Sequence, residues 1–510
     1  MPKDQKIQSS GADTLTPFSV EDGKIAELAD ADEALAIFAG QELVEVDEVS
    51  NKRILRRIDR IILPILCVVY GLNFLDKTTL SYASVMGLKQ DIKLKGDNYQ
   101  WLASLFYFGY LAWEWPTVRL LQTLPIAKYS GACIILWGLT LALFAVVHDF
   151  TGAAVVRFFL GAFEAAVTPG FALITSQWYK TSEQGSRTGI WFSFNGFAQI
   201  FGGFVAYGIA VGQKDHHSST APWKILFLFT GILTIIVGVL FLVFVPDNQL
   251  KARWLTPDDR VLALARVRDN QQGIGNKRFK TYQFVEALKD PLVWAFTFYG
   301  IASNIPNGGI TNFFSQLIVS FGYTPTHSLL LGTPAGAVEV VVLIFCGWYG
   351  DKYQKRLLVS LVGLGIAILG VILLVALPPS AKIGKLIGYY LTLAGPAPFV
   401  AILSLISSNV AGYTKKTTVA GLYLIFYCVG NIIGPQTFRP SDAPRYVPAI
   451  ITILVCYALC AVDILFIWWY CQQQNKKKSA IRAAASYLRV ENSEWLDLTD
   501  RENPEFVYTL

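Results

Sequence analysis

Charged side chains are scarce in this chain: only 16% of its 510 residues are Asp, Glu, Lys or Arg, whereas 53% are hydrophobic. A soluble domain ordinarily has about 25% charged residues, so the composition argues against a soluble multi-domain protein and predicts an integral membrane protein. Histidine is scarcer still. Its four residues lie at the expected ends of apolar runs or in loops, which argues against a metal site.

The cysteines do not indicate a disulfide framework either, because all seven lie within or at the end of apolar runs. This placement is typical of small packing residues and argues against disulfides or a zinc cluster. No pairing of a nucleophile with a base is visible, so we do not expect an enzyme. The net charge of +6 does not indicate nucleic-acid binding, because the basic residues cluster in short loops between apolar runs.

What the sequence does contain is a series of apolar runs, each about twenty residues long and therefore able to span a bilayer as a helix. They cover residues 61–83, 101–118, 129–147, 153–177, 189–211, 223–245, 292–317, 328–348, 357–377, 384–410, 419–438 and 447–469. The pattern predicts an all-α integral membrane protein with twelve transmembrane helices in two six-helix bundles.

The predicted organisation has five parts: an acidic, unstructured N-tail, a first bundle, a linker, a second bundle and a C-tail. They cover residues 1–57, 58–245, 246–290, 291–471 and 472–510. Within the linker, Thr256 followed by Pro257 predicts the start of a short helix.

Basic residues predict the orientation. Lys52, Arg53, Arg56, Arg57 and Arg60 directly precede the first run, and the loops after even-numbered runs are also basic. Because such loops stay in the cytoplasm, both termini are expected to be cytoplasmic. The first outer loop, with three lysines, is a mild exception.

Four ionisable residues lie deep inside predicted spans. Asp76 and Lys77 lie late in the first run, with Asn73 one turn before Lys77 on the same helical face. Arg157 and Glu164 lie in the fourth run, seven residues or about 10 Å apart, so both can face one cavity. A charge at the bilayer centre costs about 2.5–3.5 kcal/mol, which favours a functional site; a structural network of charges is the alternative.

Weaker polar signals occur in other runs. Pro306 and the pair Gly308-Gly309 in the seventh run indicate either a broken helix that could meet a ligand or a plain kink. Glu339 is a further intramembrane acid for which the sequence offers no partner. Candidates for hydrogen bonds to a substrate, each alternatively a contact between helices, are Asn73 of the first run together with Gln199, Asn304, Asn312, Ser407 and Asn431.

One loop motif is specific. Residues 347–356 read GWYGDKYQKR and resemble the G-x-x-x-D-[RK]-x-x-[RK]-[RK] signature of the major facilitator superfamily. The resemblance implies the two-bundle fold of that family and a cytoplasmic gate at Asp351, Lys352 and Arg356. In the degenerate counterpart after the second run, WEWPTVR, Glu114 takes the place of the usual acid.

A closer resemblance covers the chain from about residue 57 onward. The segments YGLNFLDKTTLSYAS, YFGYLAWEWPTVRLLQ, RFFLGAFEAAVTPGF, GNIIGPQTF and DLTDRENPEFVYTL are similar to those of fungal allantoate permease-like transporters of the anion:cation symporter branch. The resemblance implies that Lys77 and Arg157 bind an organic anion and that Glu164 and Asp76 couple protons.

The function implied is import of a small organic anion with protons, by alternating access, in a fungal plasma membrane. Family members carry allantoate, ureidosuccinate, dipeptides or carboxylate vitamins, so the class of substrate is implied but not its identity. No cofactor beyond the coupling proton and no oligomer is expected. A non-transporting nutrient sensor and an uncoupled facilitator remain alternatives.

Overall fold

The computed structural model describes residues 47–216, 220–267, 279–353, 356–484 and 498–510. Within these ranges the chain is helical and contains no β-strand. The predicted N-terminal tail up to residue 46, residues 268–278 of the linker, residues 485–497 of the C-tail and His217 lie outside them.

The first bundle is an up-and-down array whose fourth span is divided into two helices. Its helices are α1 (Glu48–Val85), α2 (Leu88–Asp91), α3 (Asn98–Thr123), α4 (Ile126–Leu143), α5 (Phe150–Glu164), α6 (Val167–Trp178), α7 (Thr181–His216) and α8 (Pro222–Phe244). The first helix begins ten residues before the boundary expected at residue 58, so residues 48–57 are helical and not unstructured. The Asp47 carboxylate explains this start, because it accepts a hydrogen bond from the Ser50 N–H at 3.1 Å.

The linker contributes two short helices, and the second bundle repeats the array with divided eighth and tenth spans. These helices are α9 (Pro257–Val267), α10 (Thr281–Lys289), α11 (Pro291–Ser320), α12 (Pro325–Leu331), α13 (Thr333–Tyr353), α14 (Arg356–Ala376), α15 (Lys382–Thr392), α16 (Ala397–Asn409), α17 (Tyr413–Gln436) and α18 (Val447–Ala483). The predicted helix start at Thr256 is confirmed, because its hydroxyl accepts from the Asp259 N–H at 3.2 Å. The last helix extends beyond the end expected at residue 471.

Ten spans are long and apolar enough to cross a membrane by composition alone. The other two, α3 and α11, have 26 and 30 residues and are long enough but more polar. Their polarity has a structural reason: Gln100 and Ser104 of α3 donate to the second bundle, and Gln316 of α11 accepts from Lys89 of the first. The twelve predicted spans thus correspond to these helices.

Each half of the linker is tied to one bundle. In α9, Asp259 accepts from Arg53 and Arg57 of α1, both at 2.6 Å. In α10 and directly after it, Glu286 and Asp290 pair with Lys415 of α17 at 2.9 and 2.6 Å. The described parts of the linker therefore belong to the bundles that they touch.

The C-terminal segment lies against the second bundle. Asp500 pairs with the fully buried Lys415 at 2.8 Å. Tyr508 donates to the Asp500 carboxylate at 2.8 Å, and Asn409 binds the Thr509 backbone in both directions. Burial, together with the Asp500 charge, holds the pKa of the Tyr508 hydroxyl well above its usual range. This segment joins the ends of α16, α17 and α18.

The Lys415 cluster yields a stability prediction. Lys415→Ala leaves the Glu286, Asp290 and Asp500 carboxylates together without their cation. Because removing one partner of a buried pair costs about 3–5 kcal/mol, we expect a much lower melting temperature of the purified protein in detergent. The neighbouring Lys416→Ala is the control, since that exposed side chain only donates to the Ser407 carbonyl. Equal melting temperatures for the two variants would contradict the assignment.

Candidate functional site

Several hydrogen bonds between the bundles lie toward one side of the protein. We call this side the far face, opposite the terminus face where α1 begins and α18 ends. Hydrogen bonds from one bundle to the other cluster toward the far face: Tyr99 to the Asn312 carbonyl at 2.7 Å, Gln100 to the Phe438 carbonyl at 2.8 Å, Ser104 to the Ile432 carbonyl at 2.8 Å and the Ser315 N–H to Ser81 at 3.1 Å. The path between the bundles is closed on this side.

Lys89 adds to the same closure. In the short α2 it donates to Gln316 of the second bundle at 2.5 Å and lies 4.4 Å from the centre of the Tyr99 ring. Burial lowers the pKa of Lys89 to about 8. From the sequence, this lysine is only one of three basic residues in an outer loop, where few are expected.

Below this closure, Lys77 and Glu164 form an ion pair between α1 and α5, with Nζ and Oε1 2.7 Å apart. Asn73 donates to the same Glu164 oxygen at 2.7 Å and accepts from Lys77 at 2.8 Å. The Glu164 side chain is fully buried, whereas that of Lys77 is 15% exposed. The cation is therefore the member of the pair that an incoming solute can reach.

Asp76, next to Lys77 in α1, is held by another helix of the first bundle. Its Oδ2 accepts a hydrogen bond from the indole N–H of Trp137 in α4. It also lies within hydrogen-bonding reach of the Glu164 carboxyl. The remaining oxygens, Asp76 Oδ1 and Glu164 Oε2, are buried without a hydrogen-bond partner. A single proton held between neighbouring carboxylates would be donated by one and accepted by the other, which makes this pair a candidate proton site.

Arg157 is a buried cation with unused hydrogen-bonding capacity. It is 1% exposed, donates through Nε to the Leu102 carbonyl at 3.1 Å and lies 5.2 Å from the centre of the Phe106 ring. Its Nη1 has no hydrogen-bond partner. In the described chain Glu164 pairs with Lys77 and not with Arg157. A buried charged donor without a partner is costly, so the guanidinium is suited to binding an anion.

Breaks in the helices occur at corresponding places in the two bundles. The fourth span is interrupted between α5 and α6, directly after Glu164, and the tenth between α15 and α16. The break considered at Pro306 is not found, because α11 continues from Pro291 to Ser320. That hypothesis is therefore wrong, and the structural irregularity lies next to Glu164 instead.

The asparagines of the second bundle chiefly bind one another. Asn431 of α17 donates to Asn304 at 3.1 Å and accepts from Asn307 at 3.0 Å, both in α11. Asn312 donates to the Gly308 carbonyl at 2.8 Å, while its Oδ1 is buried without a partner. These contacts hold α11 against α17, and the Asn312 oxygen is the group left for a ligand.

The two remaining predicted binding residues, Gln199 and Ser407, differ in their position relative to the bundles. Gln199 lies between the bundles and donates to the Gly332 carbonyl at 3.2 Å and to the Tyr389 hydroxyl at 3.0 Å. Ser407 is exposed near the end of α16 at the terminus face, so the structure does not bring it to the charged residues.

The predicted gate residues are only partly described. Asp351 lies in α13, but its side chain is outside the described set. Lys352 is exposed over the Trp348 ring at 4.9 Å, and Arg356 donates to Ser404 at 2.6 Å. Both carboxyl oxygens of Glu114 are buried and lack a hydrogen-bond partner. The latching role inferred for these residues stays a prediction.

Aromatic residues around the charges were missed from the sequence. Tyr427 of the second bundle lies 6.2 Å from Tyr107 of the first, and Phe192 lies 5.9 Å from Phe399, measured between ring centres. These two ring pairs lie at the contact between the bundles, whereas Trp137 lies against Asp76 within the first bundle. A signal was present for Trp137, because a buried indole N–H usually has an acceptor.

The Trp137 hydrogen bond can be tested by its pH dependence. Trp137→Phe leaves the buried Asp76 carboxylate without its donor, which should destabilise the protein by about 1–3 kcal/mol when Asp76 is ionised. A protonated Asp76 needs that donor less. The melting temperature should therefore fall more at pH 8 than at pH 5.

Trp191→Phe is the matched control, because the Trp191 indole is 4% exposed and its N–H has no hydrogen-bond partner. That variant should lose packing only, with similar effects at both pH values. If Trp137→Phe showed no more pH dependence than Trp191→Phe, the hydrogen bond would not hold an ionisable Asp76.

Comparison with known proteins agrees with this architecture. A family model of the Major Facilitator Superfamily matches residues 66–435. The chain is 43% identical over 468 residues to an uncharacterised transporter of Schizosaccharomyces pombe, covering 91% of each. It is 38% identical over 504 residues to the allantoate permease of Saccharomyces cerevisiae, covering 96% of this chain and 92% of that protein.

A further relative is the thiamine pathway transporter of Saccharomyces cerevisiae, 34% identical over 459 residues that cover 90% of this chain and 86% of that protein. Among solved structures, a bacterial homologue of the human lysosomal transporter Spinster, inward-facing and occupied, aligns with a TM-score of 0.58. It is 18% identical, with coverage of 81% of this chain and 96% of that one. This last likeness concerns the fold alone.

Proposed function

This chain belongs to the major facilitator superfamily, and we propose that it imports a small organic anion together with protons by alternating access between its two bundles. The protein is a multi-pass membrane transporter and not an enzyme. The observation that carries the proposal is the buried set of two acids and two cations formed by Asp76, Glu164, Lys77 and Arg157.

The set couples an anion to a proton through charge balance. When all four groups are ionised, their charges cancel. An added anion leaves an excess negative charge in an apolar environment, and one proton restores neutrality. Each therefore favours binding of the other, and by linkage the effect is reciprocal.

The geometry supports a specific exchange of partners. The anion's carboxylate competes with Glu164 for the accessible Lys77 ammonium and takes up the unused Arg157 Nη1. Glu164, released from its cation, then shares a proton with Asp76 through their unpartnered oxygens. Coupling in this mechanism results from the loss of the Lys77–Glu164 pair, not from weakening of an Arg157–Glu164 interaction.

The substrate class and the membrane location of the protein are supported by less direct observations. The accessible Lys77 ammonium and the unused Arg157 donor favour a carboxylate, and a relative is named an allantoate permease, so allantoate is the first probe. Basic residues in the first turns of α1 favour cytoplasmic termini, in a plasma membrane. In this mechanism Asp351, Lys352, Arg356 and Glu114 serve the gate at the terminus face, and the transporter works as a monomer.

The two cations can be tested by removing their charge. Lys77→Gln and Arg157→Gln should each reduce uptake of labelled allantoate to background, because each loses a charge-assisted hydrogen bond worth about 1.5–3 kcal/mol, or about 10–100-fold in affinity. Lys224→Gln, at the start of α8, is a matched control that should transport normally. Unchanged affinity in either site variant at normal surface expression would show that its cation does not bind substrate.

The proton-coupling role of the acids can be tested by a substitution that mimics protonated Glu164. Glu164→Gln should retain exchange of labelled for unlabelled allantoate but lose accumulation driven by a pH gradient, since its charge no longer changes. Accumulation that survives in Glu164→Gln and is lost in Asp76→Asn would assign coupling to Asp76. Uptake by the wild type that never exceeds equilibrium, with or without a protonophore, would instead indicate a facilitator.

A further inference from the structure

Glu339 lies in α13, next to a close backbone contact between the two bundles. The carboxylate is 2% exposed and one helical turn from Gly336. A Cβ atom on Gly336 would lie 2.3 Å from the Gly196 carbonyl oxygen of α7, so the two helices touch backbone to backbone. We call this contact between α7 and α13 the seam.

Among the residues that the structure describes, none pairs with Glu339 as a counter-ion. Its Oε2 is buried without a hydrogen-bond partner. Ionisable side chains within electrostatic range are the tyrosines Tyr70 of α1, Tyr389 of α15 and Tyr457 of α18. In the helices packed on α13, charged residues and histidines are absent from 188–213, 357–376 and 386–414, and His327 lies at the far end of α12.

A carboxylate in such a place is costly when ionised. An unpaired charge in an apolar interior is neutralised in practice by taking up a proton. The seam joins helices of different bundles, so alternating access must loosen it and admit water beside Glu339. Proton occupancy of this residue then depends on the conformation of the transporter, which is the property required of a coupling site.

We propose that Glu339 carries a second proton, bound while the seam is closed and released when it opens. The inference rests on the proposed symport, in which the first proton belongs to Asp76 and Glu164. One monoanion and two protons would then move together. Each cycle transfers one net positive charge, so accumulation responds to the membrane potential as well as to the pH gradient.

The charge-to-substrate ratio tests this in the full chain reconstituted in liposomes. Current and labelled allantoate flux are measured together. The wild type should move one positive charge per allantoate, and Glu339→Gln, which stays neutral, should move none while still accumulating substrate. With a potential of about 59 mV, negative inside, the loss of one charge lowers the limiting accumulation about tenfold.

Asp463→Asn is the matched control. Asp463 of α18 is also a buried acid with an unpartnered Oδ2, but its helix packs chiefly on α11 and α14 of its own bundle. Its ratio should equal that of the wild type. The same ratio in Glu339→Gln as in the wild type would overturn the inference and leave the symport intact.

The wild type alone provides a second measurement, which does not depend on the variant's folding. Electroneutral transport of allantoate with proton uptake would refute a second proton while supporting the symport. Allantoate transport with no proton movement would overturn both proposals.

Discussion

The structure depends on the cost of holding charge inside a membrane. Glu164 is fully buried, and its ionised form is tolerated because the Lys77 ammonium and the Asn73 amide both bind one of its oxygens. The second oxygen has no hydrogen-bond partner. A buried pair of this kind is seldom retained for stability alone, since apolar replacements often serve as well. In the proposed transport cycle, its value lies in the ease with which a competing anion can separate it.

The same constraint explains which spans are polar. The helices α3 and α11 carry Gln100, Ser104 and Gln316, whose side chains make hydrogen bonds with the opposite bundle near the far face. A polar group exposed to lipid would lack a hydrogen-bond partner, so it must face protein or a water-filled path. In these two helices the low hydropathy thus accompanies side chains that bind the opposite bundle.

Sequence patterns predicted the spans and the four charged residues, because apolar length and isolated charges are local properties. They did not predict the partners. Arg157 and Glu164 share a helical face, yet Glu164 pairs with Lys77, since that choice depends on how α1 packs against α5. Pro306 suggested a broken helix, but α11 is continuous, and the break follows Glu164. Ser407 was a predicted ligand residue, but it lies exposed near the end of α16. Its distance from the charged residues depends on tertiary packing, which the sequence pattern does not report.

Rigid bundles decide which buried acids can take part in a transport cycle. Arg53 and Arg57 hold α9 to the first bundle, while Lys415 holds α10 and the C-terminal segment to the second. If each bundle moves as a unit, the environment of an acid inside one bundle, such as Asp463, stays constant. Only groups at the contact between bundles change their access to water. Glu339 lies beside such a contact, where the two bundles exclude water when they meet and admit it when they part. In the proposed cycle, the conformation of the transporter therefore controls the protonation of Glu339.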